Sequence, residues 1–431
     1  MNLPVILPEL KPQRWSCHGC TNCCRELVVH LTQRDRKQID RQQWDSRIEG
    51  PAYVRLGGEF VLNHRAGGAC VFLDEQGRCR IHAEFGGEAK PIACQLYPFS
   101  LHRDGKALRA SLRFDCPSAG RNQGVSLTSH QREVSRLAGE LDKTAPSMFA
   151  GRPPQLKLSA DRTMSEREHE KLIGKLDAWL RDTNSPLARR LVGVASIVDT
   201  LGNAKLHRFD EARFIELLDM LFDDLSPAID ELLAAAPPPP TGRQRRLLAM
   251  TIFAHCEYLR FEQARLGFVA SWRHRWGQLT RARRFAGGDE MIPPLVAGSG
   301  PVARSAVSAA LASRPAPETG ELLTRYLRMR LLCGTAYGPG YYDWPAIDGL
   351  RALLLALCSI DWLSAYCSAI ENRTERTMED IRRAVSIVDR TAGRAPELGA
   401  RTALLRGNYL SQDQGTLQLV MAGSWVADSI S

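Results

Sequence analysis

The chain has 431 residues, 44% of them hydrophobic and 24% charged, with a formal net charge of +9. These values exclude a disordered chain and a small disulfide-stapled one; such a length supplies large apolar cores and suggests two or three domains. The basic excess points toward an acidic partner, a nucleotide or nucleic acid, or a solvated arginine surface.

The N-terminal stretch MNLPVILPELKPQRW lacks a basic leader region, an unbroken apolar run and a small-residue cleavage site, so it does not read as a signal peptide. A cytoplasmic location, where thiols stay reduced, is the expectation. Residues 1–125 read as a loop-rich metal-binding domain with short strands. Its turn signals are RAGGAC, DEQGRC and RDGKAL. EFVLNH and ALRASLRF are predicted as strands, and ACVFLDEQGRCRIH as two short extended pieces around a tight turn. Such a domain has little core, so a metal is expected to supply part of its folding energy.

Eight of the 12 cysteines fall in this region: Cys17, Cys20, Cys23, Cys24, Cys70, Cys79, Cys94 and Cys116. All eight are candidate metal ligands. Disulfides are disfavoured by the compartment. Two Cys₄ zinc sites would use every thiol, but CHGCTNCC is not a pair of separated C-x-x-C knuckles. The Cys17, Cys20, Cys23 run has the C-x₂-C-x₂-C spacing that wraps a cubane 4Fe–4S cluster, and Cys116 is followed by Pro117 as the distant ligand often is. Radical S-adenosylmethionine chemistry is disfavoured, because it uses C-x₃-C-x₂-C. Cys24, Cys70, Cys79 and Cys94 remain for a second metal, or replace members of the first set. His18, His82 and His102 are expected at the surface or behind the ligands.

From residue 126 the pattern turns helical. HQREVSRLAGELDK is amphipathic, and SEREHEKLIGKLDAWLRD opens with a capping box at Ser165 and Glu168. Phe214, Leu217, Leu218, Leu221 and Phe222 share a predicted helix face. A helical region over 126–236 is followed by the stiff linker Pro237–Pro240 and a mainly helical domain over 241–431. The fold class expected is α+β. Between Gly242 and Arg284 ten arginines face two acids, with Phe268, Trp272 and Trp276 interleaved. Helix packing is expected to bury these aromatics; no known nucleic-acid signature is present, and nucleic acid is not expected as a partner. VAGSGP, at Val296–Pro301, reads as an interdomain loop. Ala352 to Ile370 is almost apolar enough to cross a membrane, but Asp361 at its middle favours the buried helix of a bundle, with no membrane partner. Cys256, Cys333, Cys358 and Cys367 lack ligand spacing and are expected to pack in cores.

In order, CHGCTNCC, CVFLDEQGRCRIH, CQLYPF and LRFDCPSAGR resemble the cysteine-cluster family of zinc- or iron-chelating domains, and within it the flagellin lysine N-methylase branch. That branch's SCPEA element reads Asp115-Cys116-Pro117-Ser118-Ala119 here, without the glutamate. The resemblance covers about a quarter of the chain in its specific motifs. It implies a metal site, iron–sulfur or zinc, and S-adenosylmethionine-dependent methylation of lysines on a protein substrate, flagellin. No residue identifies a methyl-donor site. A non-enzymatic metal-chelating module is the alternative.

Overall fold

The computed structural model describes residues 3–105, 107–149, 155–235, 238–258 and 261–427, apart from the side chains of Ser147, Glu262, Ala264, Phe268 and Ala427. The start of the Pro237–Pro240 linker and the Phe268 side chain lie outside them. The chain forms two compact units, one of residues 1–153 with 258–277 and the other of residues 154–257 with 278–431. The segment expected to open a separate helical region, 126–149, therefore groups with the cysteine-rich residues.

The first unit is built from short strands and short helices. Val5–Ile6 pairs in parallel with Ala107–Leu112, which runs antiparallel to Phe99–Asp104. Tyr53–Leu56 and Glu59–Leu62 form a hairpin. Its two turn residues, Gly57 and Gly58, have φ of 56° and 96°, a conformation glycine adopts without Cβ strain. Both predicted strands, EFVLNH and ALRASLRF, are present. Several short helices were not anticipated, among them Arg80–Phe85, which stands where the second extended piece of ACVFLDEQGRCRIH was expected, and Gln33–Arg41. Gln33–Arg41 begins with a capping box in which Thr32 and Asp35 satisfy each other's backbone amides. Gln131–Thr144 buries Val134, Leu137, Ala138 and Leu141, the amphipathic face its sequence carries.

The core of this unit contains Ile39, Trp44, Leu62, Cys70, Val71, Phe72 and Ile81, with Cys24, Cys79 and Cys94 packed against it. Sulfur atoms thus form part of the core. The 258–277 segment belongs here as well. Tyr258 donates its hydroxyl to the Glu26 carbonyl at 2.8 Å, and Phe261 stacks on His64 with centroids 4.4 Å apart. Trp272 and Trp276 correct an expectation. They are 61% and 58% exposed, with rings stacked on each other 5.9 Å apart. Together with Val269 they form an apolar stripe at helical spacing that faces solvent, and each indole shields one face of the other.

The second unit is a helical assembly around Ala346–Ala369, the long apolar helix, whose most apolar window is 83% buried within the protein. It packs against helices Leu187–Asn203, Gly242–Cys256, Arg304–Leu311, Met378–Thr391 and Gly415–Met421. Asp361 is paired with Arg376 at 2.7 Å and accepts from the Ser424 amide at 2.8 Å, so its charge is compensated inside the core. The Ser165 capping box starts helix Glu166–Arg181 as expected. Phe214 and Leu218 bury the centre of the predicted face on Glu211–Asp223. Cys333, Cys358 and Cys367 are buried and Cys256 is partly so. VAGSGP is a loop within this unit, not between domains. It lies between the antiparallel strands Met291–Ile292 and Val302–Ala303, tied down by hydrogen bonds from the Leu295 amide and Ser299 to the Tyr366 hydroxyl.

Candidate metal centre

The backbone of the first unit gathers five thiols from four separate stretches. Cys23 and Cys24 lie in the short helix Asn22–Glu26, which starts after Gly19 and Thr21 turn the chain at φ of 66° and 60°. The Cys24 carbonyl accepts from the Cys70 amide at 2.8 Å, which brings the second stretch alongside the first. From Cys70 the chain reaches Cys79 through the anticipated tight turn. Asp74 closes it by accepting from the Gly77 and Arg78 amides, and Leu73 forms a bridge with Cys79. Cys94 sits in helix Ile92–Leu96. Asp35, already in its capping box, also accepts from the buried Ile92 amide at 3.1 Å. One carboxylate therefore couples the Gln33–Arg41 helix to the element that carries Cys94.

Cys23, Cys24, Cys70, Cys79 and Cys94 line one cavity of about 80 Å³, closed by Phe72, His64, Lys90 and Tyr97 among others. The Sγ atoms of Cys23 and Cys24 are 3.9 Å apart. Two thiolates on one tetrahedral ion with bonds of about 2.3 Å are separated by about 3.8 Å. The adjacent pair thus has the spacing of two ligands on one metal ion. Among the described residues no three His, Cys, Asp or Glu side chains converge as a preformed site for a single ion.

The electrostatics of the cavity call for a cation. The hydrogen bond and proximity to Cys24, together with burial, push the Cys23 thiol far up, and burial pushes Cys70 up to about 12. Cys94 is also raised, by burial and then by its neighbour Cys70, while Lys90 opposes the shift at Cys23 and Cys94. Without a metal these thiols are protonated. Metal binding expels the protons and supplies the positive charge that stabilises the thiolates. The donor set fits a thiolate-bound zinc or iron group.

The other three cysteines are placed differently. Cys17 and Cys20 are exposed and do not line the cavity, whereas Cys116 is buried where helix Pro117–Gly120 begins. Burial raises the Cys116 thiol, the amides of Ala119 and Ser118 and the Trp15 side chain counteract this, and Cys20 is near enough to add to the rise. Of the C-x₂-C-x₂-C run, Cys23 is the member that lines this cavity. The turns at Gly19 and Thr21 send Cys23 into the cavity and leave Cys17 and Cys20 outside it.

His18 hydrogen-bonds the Ser118 hydroxyl at 2.9 Å, at the position where the resembling motif has its glutamate. His82 lies in helix Arg80–Phe85, and His102 pairs with Arg109 between strands. None of these three histidines lines the cavity; His64, which sequence reasoning did not single out, does. Its signal was slight, a polar residue ending EFVLNH six positions before Cys70. Tyr97 also lines the cavity and donates its hydroxyl to Asp115 at 3.2 Å, which in turn binds Arg113.

No curated protein and no solved structure matches the chain significantly. A family model described as "CxxCxxCC: Putative zinc- or iron-chelating domain" matches residues 16–117, the stretch that holds all eight clustered cysteines. The match covers about a quarter of the chain, and within it lie both the five thiols that face one cavity and the three set apart.

Proposed function

We propose that the five-thiol cavity holds an iron–sulfur cluster, and that the protein is a cytoplasmic enzyme transferring methyl groups from S-adenosylmethionine to lysine side chains of another protein, flagellin by resemblance. The observation that carries the metal reading is the cavity itself. Here five thiols surround about 80 Å³, several times the roughly 10–15 Å³ that one water requires. Such a volume suits a polynuclear group.

The transfer reading is supported by the ordered motifs CHGCTNCC, CVFLDEQGRCRIH and CQLYPF. In the reaction the lysine amine lone pair forms the new carbon–nitrogen bond, the sulfonium keeps the electron pair of the broken bond, and a proton leaves the amine. No electron is exchanged, so the metal serves to shape the protein rather than to carry out redox. A zinc-chelating module without enzymatic activity is the second reading. The 3.9 Å Cys23–Cys24 spacing favours it equally, since two thiolates on one zinc ion have the same separation.

Anaerobic purification tests these readings. Iron and acid-labile sulfide in the protein, with visible absorption, support the cluster; colourless protein with stoichiometric zinc sinks it. C24S and C94S are expected to lose the metal and C17S to keep it. Equal loss in all three would disprove the assignment of ligands. Incubation with labelled S-adenosylmethionine and flagellin should place label on lysine, and absence of both transfer and cofactor binding favours the chelating module.

A further inference from the structure

A second cavity lies inside the helical unit, far in sequence from the cysteines. It has a volume of about 30 Å³ and is lined by His255 of helix Gly242–Cys256, Tyr341, Trp344, Asp348, Arg351 and Arg406. Two arginines at a small, half-open cavity are unusual unless their charge is answered. Among the described residues, no hydrogen bond or ion pair joins Arg406 to another side chain. Burial lowers its pKa with no carboxylate to offset that effect. Arg351 is 8% exposed, and its Nε is buried without a hydrogen-bond partner. Its nearest carboxylates are loose, Asp348 at 3.8 Å and Asp199 at 4.0 Å.

The other lining residues add no positive charge of their own. His255 is buried and hydrogen-bonds Thr391 at 3.0 Å. Burial, with the charges of Arg406 and Arg330, holds its ring neutral. Asp348 is the acid among the lining residues; burial raises its pKa and the nearby Arg351 lowers it. Trp344 and Tyr341 pack edge to face at 5.5 Å and supply an apolar wall. Guanidinium groups favour planar, multiply accepting oxyanions, and a partly desolvated arginine binds one more strongly than an exposed arginine does.

We propose that this cavity is a binding site for the oxyanion group of a small metabolite, a carboxylate or a phosphate, held by Arg406 and Arg351 against the Trp344 and Tyr341 wall. About 30 Å³ admits one such group, with the rest of the ligand reaching out through the open side. The site is independent of the cysteine cavity and of the methyl-transfer reading.

The test uses the full-length metallated protein at constant ionic strength, titrated with inorganic phosphate and with acetate against a chloride control. Thermal unfolding and calorimetry report binding. At ten times the dissociation constant the midpoint should rise by about 2–5 °C. A response to phosphate alone identifies a phosphate ester as the ligand class, to acetate alone a carboxylate, and to both an oxyanion site of either kind. R406Q should abolish the shift and, with no anion added, should unfold at the same temperature as the parent or higher, because an unpaired, partly buried charge is removed. R406K should restore part of the response. The proposal is overturned if neither anion shifts the parent, if R406Q responds as the parent does, or if R406Q alone unfolds several degrees lower, which would make Arg406 a structural cation.

Discussion

Asp35 connects fold to metal site, and removing it should show how strongly. Its Oδ2 accepts from the Thr32 amide at 2.9 Å, and its Oδ1 accepts from the Ile92 amide at 3.1 Å. In D35A the capping box is broken, a loss of about 1 kcal/mol. The Ile92 amide, buried in the parent, loses its acceptor, and an unpaired buried donor costs about 1–3 kcal/mol. The sum is about 2–4 kcal/mol for the first unit. Ile92 opens the helix that carries Cys94, so the ligand itself is loosened. Residues that orient a metal ligand typically change affinity by about 10–100-fold when removed. Urea unfolding of the metal-free protein measures the first quantity, and competition with a chromogenic chelator measures the second. A D35A protein that unfolds within about 0.5 kcal/mol of the parent and holds its metal equally well would refute the coupling.

Two further expectations concern other parts of the molecule. His255 is neutral and buried, with its pKa lowered to about 3 from 6.5, so the unfolded chain binds a proton below pH 6.5 that the folded chain does not. Stability present above that pH is therefore lost as pH falls, by about 1.4 kcal/mol per unit, or about 2 kcal/mol at pH 5, until the folded state also titrates. H255Q should flatten this part of the stability–pH curve, and an unchanged slope would contradict the burial of a neutral ring. Replacing Trp272 and Trp276 together by alanine should leave the unfolding midpoint within about 0.5 kcal/mol of the parent, since neither is covered. A loss above about 2 kcal/mol would return them to a packed interior.

Features encoded over short spans were legible in the sequence. The capping box of Ser165 and Glu168 spans four residues, the turn between Cys70 and Cys79 spans ten, and both formed as expected. The amphipathic face of Gln131–Thr144 was equally plain. The eight cysteines were legible as a set, but their division was not. Whether Cys20 and Cys23 share a site depends on two left-handed backbone turns at Gly19 and Thr21, and threonine gives little warning of one. The capping box at Thr32 was missed because its Asp at the third helical position is a less familiar partner than Glu or Gln. Trp272 and Trp276 misled because spacing shows that residues share a face, not which way that face points. Arg406 gave no signal, since its lack of a partner exists only in three dimensions.

The stacking of Phe261 on His64 has a consequence for how the protein is made. His64 walls the cysteine cavity, yet its partner is synthesised roughly 145 residues after Cys116. At about 5–20 residues per second, translation leaves an interval of about 7–30 s in which all eight thiols have been made and His64 has no stacking partner. During that interval the cysteines are open to metal delivery, and equally to oxidation or to the wrong metal.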